Sequence, residues 1–210
     1  MVQNECLIFV NDNMGRTQRT IKRCCDIILS CIAIVLLSPI FLILILALKF
    51  SRNGSVFYLQ ERIGYEGMPF TLYKFRTIKE GTEKDKPQLV PMSNGTDSTP
   101  LEKFLRAHHL DELPQFWNVL KGDMSLVGPR PERKYFIDLI TAKDPNYILI
   151  YQMRPGLTSE ATIYNGYTDT MEKMLKRLKM DINYLRNRTL SLDLQIIINT
   201  FWAIVSGKKF

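Results

Sequence analysis

Arg130 stands between Pro129 and Pro131, which stiffens the backbone on both sides of one guanidinium. A stiff arginine in a loop suits a phosphate, gripped through two parallel hydrogen bonds. A surface turn is the plain alternative. Lys74 and Arg76 lie two residues apart in FTLYKFRTI, which reads as a strand by its aromatic and β-branched content. Period-two alternation puts both cations on one face and Tyr73 and Phe75 on the other; solvated charges on an edge strand would look the same. Asp111 and Glu112 are adjacent carboxylates just ahead of Pro114, which suits the first turn of a helix ending near Gly122. Asp111 is then the natural N-cap, with Glu112 in the first turn. Taken alone, a capping carboxylate worth about 1 kcal/mol accounts for Asp111.

Stepping outward, Thr99-Pro100-Leu101-Glu102 is a capping box with proline in the first turn, so a helix starts there. Leu101, Phe104, Leu105 and His108 form its apolar face, and His108 reads as structural. His108 and His109 have no acidic or thiol partner at helical spacing. Gly64 and Gly67 mark turns after VFYLQERI, and Glu80–Ser98 is a loop by composition, with the makings of a lid. Arg154–Thr158 reads as a turn, Met171–Arg188 as a charged helix, and Leu190–Val205 as an apolar helix ending beside Lys208 and Lys209. That last helix fits either a core or a membrane interface, where Trp and Lys are favoured.

The strongest compositional signal is the apolar block Ile27–Leu48, about 22 residues and long enough to reach across a bilayer. It starts too late and runs too long for a signal peptide, and no small-residue cleavage site precedes Lys49. Lys22 and Arg23 precede it while Lys49 and Arg52 follow, so both ends carry charges that prefer the cytoplasm. Pro39, after Ser38, must kink a helix near the middle, and the Ser38 hydroxyl can serve a freed carbonyl. On these grounds a kinked span and a hairpin returning to the same face both stand. Asp26 sits just inside the first edge and is expected to pair with Lys22 or Arg23.

Composition narrows the classes further. Lys plus Arg total 28 against 21 Asp plus Glu, a formal charge of +7 over 210 residues, pointing to acidic partners. No nucleic-acid reading motif accompanies that charge, so a nucleic-acid partner is not expected. The four cysteines, Cys6, Cys24, Cys25 and Cys31, form no CxxC pair, which argues against a zinc site; their absence from the rest of the chain fits a reducing cytosol. The length suggests one domain.

Several stretches together resemble one family: Lys22-Arg23-x-x-Asp26, Ser38-Pro39, Gln60-Glu61-Arg62-x-Gly64, Lys74-Phe75-Arg76-Thr77, Leu110-Asp111-Glu112-Leu113-Pro114-Gln115 and the run from Asn118 to Glu132. Arg154-Pro155-Gly156-Leu157-Thr158 and Leu192-Asp193-Leu194 extend the match. The chain resembles the monotopic phosphoglycosyl transferases, bacterial sugar transferases that initiate polysaccharide and glycoconjugate assembly. The resemblance implies an α+β, mostly helical fold. Residues 1–21 would be a polar N-terminal segment and 22–52 a re-entrant membrane helix broken at Ser38-Pro39. Residues 53–210 would form a small cytosolic catalytic domain with C-terminal helices in the membrane interface. It places the protein at the cytoplasmic face of the bacterial inner membrane and is compatible with a homo-oligomer.

The same resemblance implies transfer of a sugar phosphate from a nucleoside-diphosphate sugar, usually a UDP-sugar, to polyprenyl phosphate, with UMP released and magnesium required. Asp111 would be the nucleophile, forming an aspartyl phosphosugar, and Glu112 would help place magnesium with Asp111 near the metal. Arg130 would neutralise the transferring phosphoryl group, with Lys74 and Arg76 lining the same basic site and Asp193 an acid beside it. One segment departs from the family: after Thr158 the chain reads Ser159–Tyr167, with Tyr167 where arginine is usual. That bears on the donor sugar and leaves the Asp-Glu pair intact.

Overall fold

The computed structural model describes residues 11–51, 54–77, 99–166 and 168–206. The expected lid at Glu80–Ser98, the altered position Tyr167, Arg52 and the C-terminal lysines lie outside the described residues.

Helix α1 (Arg16–Ser51) begins ahead of the expected membrane segment and runs through Pro39 without interruption, so Ser38-Pro39 does not break the helical assignment. The Ser38 hydroxyl donates to the Val35 carbonyl at 2.8 Å, the local repair that a proline one residue on calls for. The helix is long and apolar enough to cross a membrane, and most of its apolar side chains are exposed, among them Val35, Leu36, Ile43 and Phe50. Both of its ends dock on the rest of the fold. At the first, Asp26 Oδ1 accepts from the Leu126 amide at 3.1 Å, and its expected partner Lys22 stands 4.0 Å away. Near the second, Leu44 and Leu48 bury against Phe75 and Leu105, and the Phe41 and Phe75 rings lie 5.6 Å apart.

Residues 1–21 read as unpatterned in the sequence, yet residues 11–15, just before α1, are fastened down. Asp12 pairs with Arg188 through both oxygens and with Arg19, and Met14 is fully buried.

Strands β1 (Phe57–Ile63) and β2 (Pro69–Phe75) form an antiparallel hairpin with Tyr58 opposite Lys74. The turn between them uses Gly67 at φ 74°, where a side chain would be strained. Helix α2 (Pro100–Ala107) opens with the expected box: Thr99 Oγ1 accepts from the Glu102 amide, and Glu102 Oε2 accepts from the Thr99 amide at 2.8 Å. Helix α3 (Gln115–Lys121) ends at Gly122 in the left-handed region. Its last carbonyls, Val119 and Leu120, accept from Arg23 at 2.7 and 3.0 Å, so a cation on α1 caps α3 where the helix dipole is negative.

A second sheet pairs β3 (Ser125–Val127) with β4 (Gly156–Thr158) in parallel. Here two backbones nearly touch. A Cβ on Gly128 would lie 2.3 Å from the Arg154 carbonyl, and one on Gly156 would lie 2.1 Å from the Gly128 amide. Helices α4 (Lys134–Thr141), α5 (Glu160–Asn165), α6 (Met171–Asn187) and α7 (Leu190–Val205) complete the chain. Val119, Met124, Val127, Ile140, Leu178 and Leu185 anchor the main core between them. The fold is thus mostly helical with two small sheets, as expected.

Candidate active site

Glu112 is the hub. Its Oε1 lies 2.6 Å from Lys74 Nζ and 3.0 Å from Arg130 Nη2, and the side chain is only 13% exposed. Three separate elements deliver these groups: β2 brings Lys74, the turn between α2 and α3 brings Glu112, and the turn after β3 brings Arg130. Burial alone would raise the Glu112 carboxyl. The facing Arg130 and Lys74 charges outweigh it and hold Glu112 well below the usual carboxylate range, while Glu112 in turn holds the Arg130 guanidinium above its ordinary value.

Asp111 is built differently from the sequence expectation. It does not cap a helix: it lies in a 3-10 turn, Leu110–Glu112, and the α3 N-cap is Pro114, with no side-chain cap. The cause is His109, which takes the left-handed conformation (φ 55°, ψ 19°) and opens a tight turn at Leu110, ahead of the start of α3 at Gln115. The expected benefit of a helix N-terminus to an ionised Asp111 is therefore lost. Burial, joined by the adjacent Glu112 charge, pushes its carboxyl up to about 6. The Asp111 carboxylate is therefore far less stabilised than that of Glu112. The two neighbours thus divide into a salt-bridged anion and a less stabilised one.

His109 was not separated from His108 in the sequence. In the fold they part: the His108 ring lies tilted against Phe104, centroids 4.2 Å apart, and bonds its carbonyl, while burial draws the His109 imidazole below its ordinary value beside Glu112, Arg130 and Lys74. Asn118 is a second residue whose part the sequence did not reveal. Fully buried on α3, it accepts from the Tyr73 amide at 3.0 Å and donates to the Thr71 carbonyl at 2.6 Å. It pairs with β2 as a neighbouring strand would, which fixes the height of Lys74 relative to Glu112.

The remaining site candidates make other contacts. Arg76 follows the last residue of β2, and its amide donates to the Val56 carbonyl at 2.9 Å; the residue is buried, and a side chain at Gly54 would collide with its guanidinium. Asp193 accepts from Lys22 at 2.6 Å and from the Tyr184 hydroxyl at 2.5 Å, tying α7 to the start of α1. Ser38 and Pro39 are exposed in the middle of α1.

Among the described residues, no group of three or more His, Cys, Asp and Glu converges as a metal cage. A magnesium ion needs less, since it commonly keeps several waters and takes one or two carboxylates plus substrate phosphates. Asp111 and Glu112 supply that donor set, because Lys74 and Arg130 both occupy the same Glu112 oxygen.

Residues 17–207 match the family model described as bacterial sugar transferase. The chain is 41% identical over 181 residues to a UDP-glucose:undecaprenyl-phosphate glucose-1-phosphate transferase of Klebsiella pneumoniae, covering 85% of this chain and 39% of that protein. It is 37% identical over 187 residues to a UDP-N-acetylgalactosamine-undecaprenyl-phosphate N-acetylgalactosaminephosphotransferase of Aeromonas hydrophila, covering 89% and 44%. A UDP-glucose:undecaprenyl-phosphate glucose-1-phosphate transferase of Caulobacter vibrioides is 39% identical over 188 residues, covering 88% and 70%. The chain thus spans less than half the length of the first two relatives. With a match across nearly its whole length, the chain belongs to the bacterial sugar transferase family.

Proposed function

We propose that this chain transfers a sugar 1-phosphate from a UDP-sugar to polyprenyl phosphate at the cytoplasmic face of the bacterial inner membrane, the first membrane step of polysaccharide or glycoconjugate assembly. The observation that carries this reading is the Glu112–Lys74–Arg130 cluster beside a half-buried, weakly stabilised Asp111, in a chain of this family. An Asp111 oxygen attacks the β-phosphorus of the donor; the bond to the bridging oxygen breaks and UMP leaves. The resulting aspartyl phosphosugar is then attacked by a terminal oxygen of polyprenyl phosphate, which takes the sugar phosphate and returns Asp111 as a carboxylate. Lys74 and Arg130 present positive charge where the phosphoryl oxygens gather negative charge. Glu112 holds both cations in place before substrate arrives. Magnesium held by Asp111, Glu112 and the donor phosphates would supply further charge neutralisation.

Arg76 and Asp193 serve this reading through placement: Arg76 continues the basic wall from the end of β2, and Asp193 holds α7 against Lys22. The altered segment ending at Tyr167 bears on which sugar is accepted.

Placement at the membrane follows from α1. A straight helix from Asp26 to Leu48 would separate its ends by about 33 Å. Both ends dock on the one small domain while Val35, Leu36 and Ile40 between them are exposed, which supports a re-entrant helix bent at Ser38-Pro39. Leu194, Ile198, Phe201, Trp202 and Val205 form an exposed stripe along α7, as expected of a helix lying in the interface.

The test is UMP release by the purified full chain with undecaprenyl phosphate, magnesium and a panel of nucleoside-diphosphate sugars that includes UDP-glucose and UDP-N-acetylgalactosamine. Acceptor-dependent release with one UDP-sugar is the expected result. No release with any donor would favour a non-catalytic membrane scaffold instead.

A further inference from the structure

Arg130 is not the only cation near its turn. Arg62 Nη1 lies 3.5 Å from Glu132 Oε2, and Arg177 Nη1 pairs with the other oxygen, Oε1. Arg130, Arg177, Glu132 and Asp181 also line one small cavity. Both outer arginines are nearly enclosed, at 13% and 11% exposure, and burial draws each guanidinium below its ordinary value. Two carboxylates, Glu112 and Glu132, therefore face three guanidiniums, and how they pair decides where Arg130 points.

The backbone around Arg130 is fastened on both sides. The Gly156 amide donates to the Pro129 carbonyl at 2.9 Å, Arg62 Nη1 donates to the Pro131 carbonyl at 2.9 Å, and the Ile63 amide donates to the Glu132 carbonyl at 3.1 Å. Arg62 is itself oriented by Gln60 Oε1, which accepts from Nε at 3.0 Å and Nη2 at 2.6 Å. The backbone is thus fixed, and the Arg130 side chain still has two acidic partners within its field.

We propose that Glu132 is a positioning residue: by engaging Arg62 and Arg177 with its two oxygens, it reserves Arg130 for Glu112 and for the donor's phosphates. This rests on the reading of Arg130 given above. Without the Glu132 charge, Arg62 and Arg177 repel Arg130 from behind. Without Arg177, Glu132 has an oxygen to spare and draws Arg130 away from Glu112. Loss of either member misplaces the same guanidinium, and a misplacement of about 1 Å costs on the order of 100-fold in rate.

The test is steady-state UMP release by the full chain, with wild type first establishing the accepted donor from the panel above. E132Q and R177Q are each expected to lower kcat roughly 10- to 100-fold with donor KM little changed. E132D is expected to recover part of the loss. In an R130Q background, E132Q is expected to add almost nothing, because both act through one side chain. R188Q breaks the buried pair with Asp12, far along the chain from the site, and serves as the stability control. It is expected to lower the melting temperature while the folded enzyme keeps its kcat. Losses that multiply in the E132Q/R130Q double variant, or wild-type kcat in R177Q, would overturn the proposal alone. Wild-type kcat in R130Q would overturn the reading of Arg130 and the proposal with it.

Discussion

Lys74 Nζ lies 2.6 Å from Glu112 Oε1, a contact between a strand and a turn 38 residues apart in the chain. Arg130 meets the same oxygen, so one carboxylate organises two cations and leaves its second oxygen for other work. Removing either cation should weaken transition-state charge stabilisation without dismantling the fold. K74M is expected to lower kcat by about 100-fold or more, within the range found for single electrostatic donors. The measurement is UMP release at saturating donor, with circular dichroism showing that the helices persist.

Asn118 connects the two halves of that arrangement. N118A leaves the Tyr73 amide and Thr71 carbonyl without their partner, and each lost buried bond of this kind costs about 1–3 kcal/mol. A lower unfolding midpoint is expected, together with reduced activity of the folded fraction, because Lys74 loses its height relative to Glu112. Thermal unfolding and kcat measured on one preparation check both.

Asp181, on α6, gives the fold a pH dependence of its own. Burial, the largest influence, raises its carboxyl from the ordinary 3.8 to about 7. Between those values the folded chain keeps the proton that the unfolded chain has lost, so stability falls as pH rises and levels off above about 7. D181N lacks this titration. Its stability relative to wild type is expected to improve from pH 5 to about pH 7, by up to about 1.4 kcal/mol per unit of pH, and to level off towards pH 8. Denaturant unfolding of both proteins across that range decides it; a constant difference would contradict the assignment.

The crossing of β3 and β4 tolerates no side chain. G128A and G156A would each drive a methyl group into backbone 2.3 and 2.1 Å away, respectively. Both are expected to destabilise by several kcal/mol, since backbone cannot move aside as a flexible side chain can. The yield of folded protein and its melting temperature measure the effect.

The proposed bend in α1 has its own test. The four native cysteines, Cys6, Cys24, Cys25 and Cys31, would first be replaced by serine. Single cysteines then placed at Gly15 and Ser55, which flank α1, are expected to react with a membrane-impermeant reagent from the same side. Labelling from opposite sides would show a spanning helix.

Local chemistry was readable in the sequence where one short segment decides the structure. The Thr99–Glu102 box, the hairpin glycine at Gly67 and the long apolar helix all follow from spacing and residue type. The sequence failed where distant segments decide. Asp111 carries every mark of an N-cap, but His109 in the left-handed region turns the chain early, and no local pattern announces that conformation in a histidine. The parallel pairing of β3 with β4 is equally hidden, since each strand has three residues and the partners lie about 30 positions apart. The Arg130 guanidinium was visible between its prolines, whereas the pairing of Glu132 with Arg62 and Arg177 needs three elements brought together.

The central claim is that Asp111 carries the sugar phosphate between donor and acceptor. The most direct measurement is incubation of the full chain with a UDP-sugar labelled in its β-phosphate, without polyprenyl phosphate, followed by rapid denaturation and peptide mapping. Label on the peptide containing Asp111, absent in D111N and discharged when polyprenyl phosphate is added before denaturation, is the expected result. Rapid turnover with no label on the protein, or undiminished labelling of D111N, would contradict it.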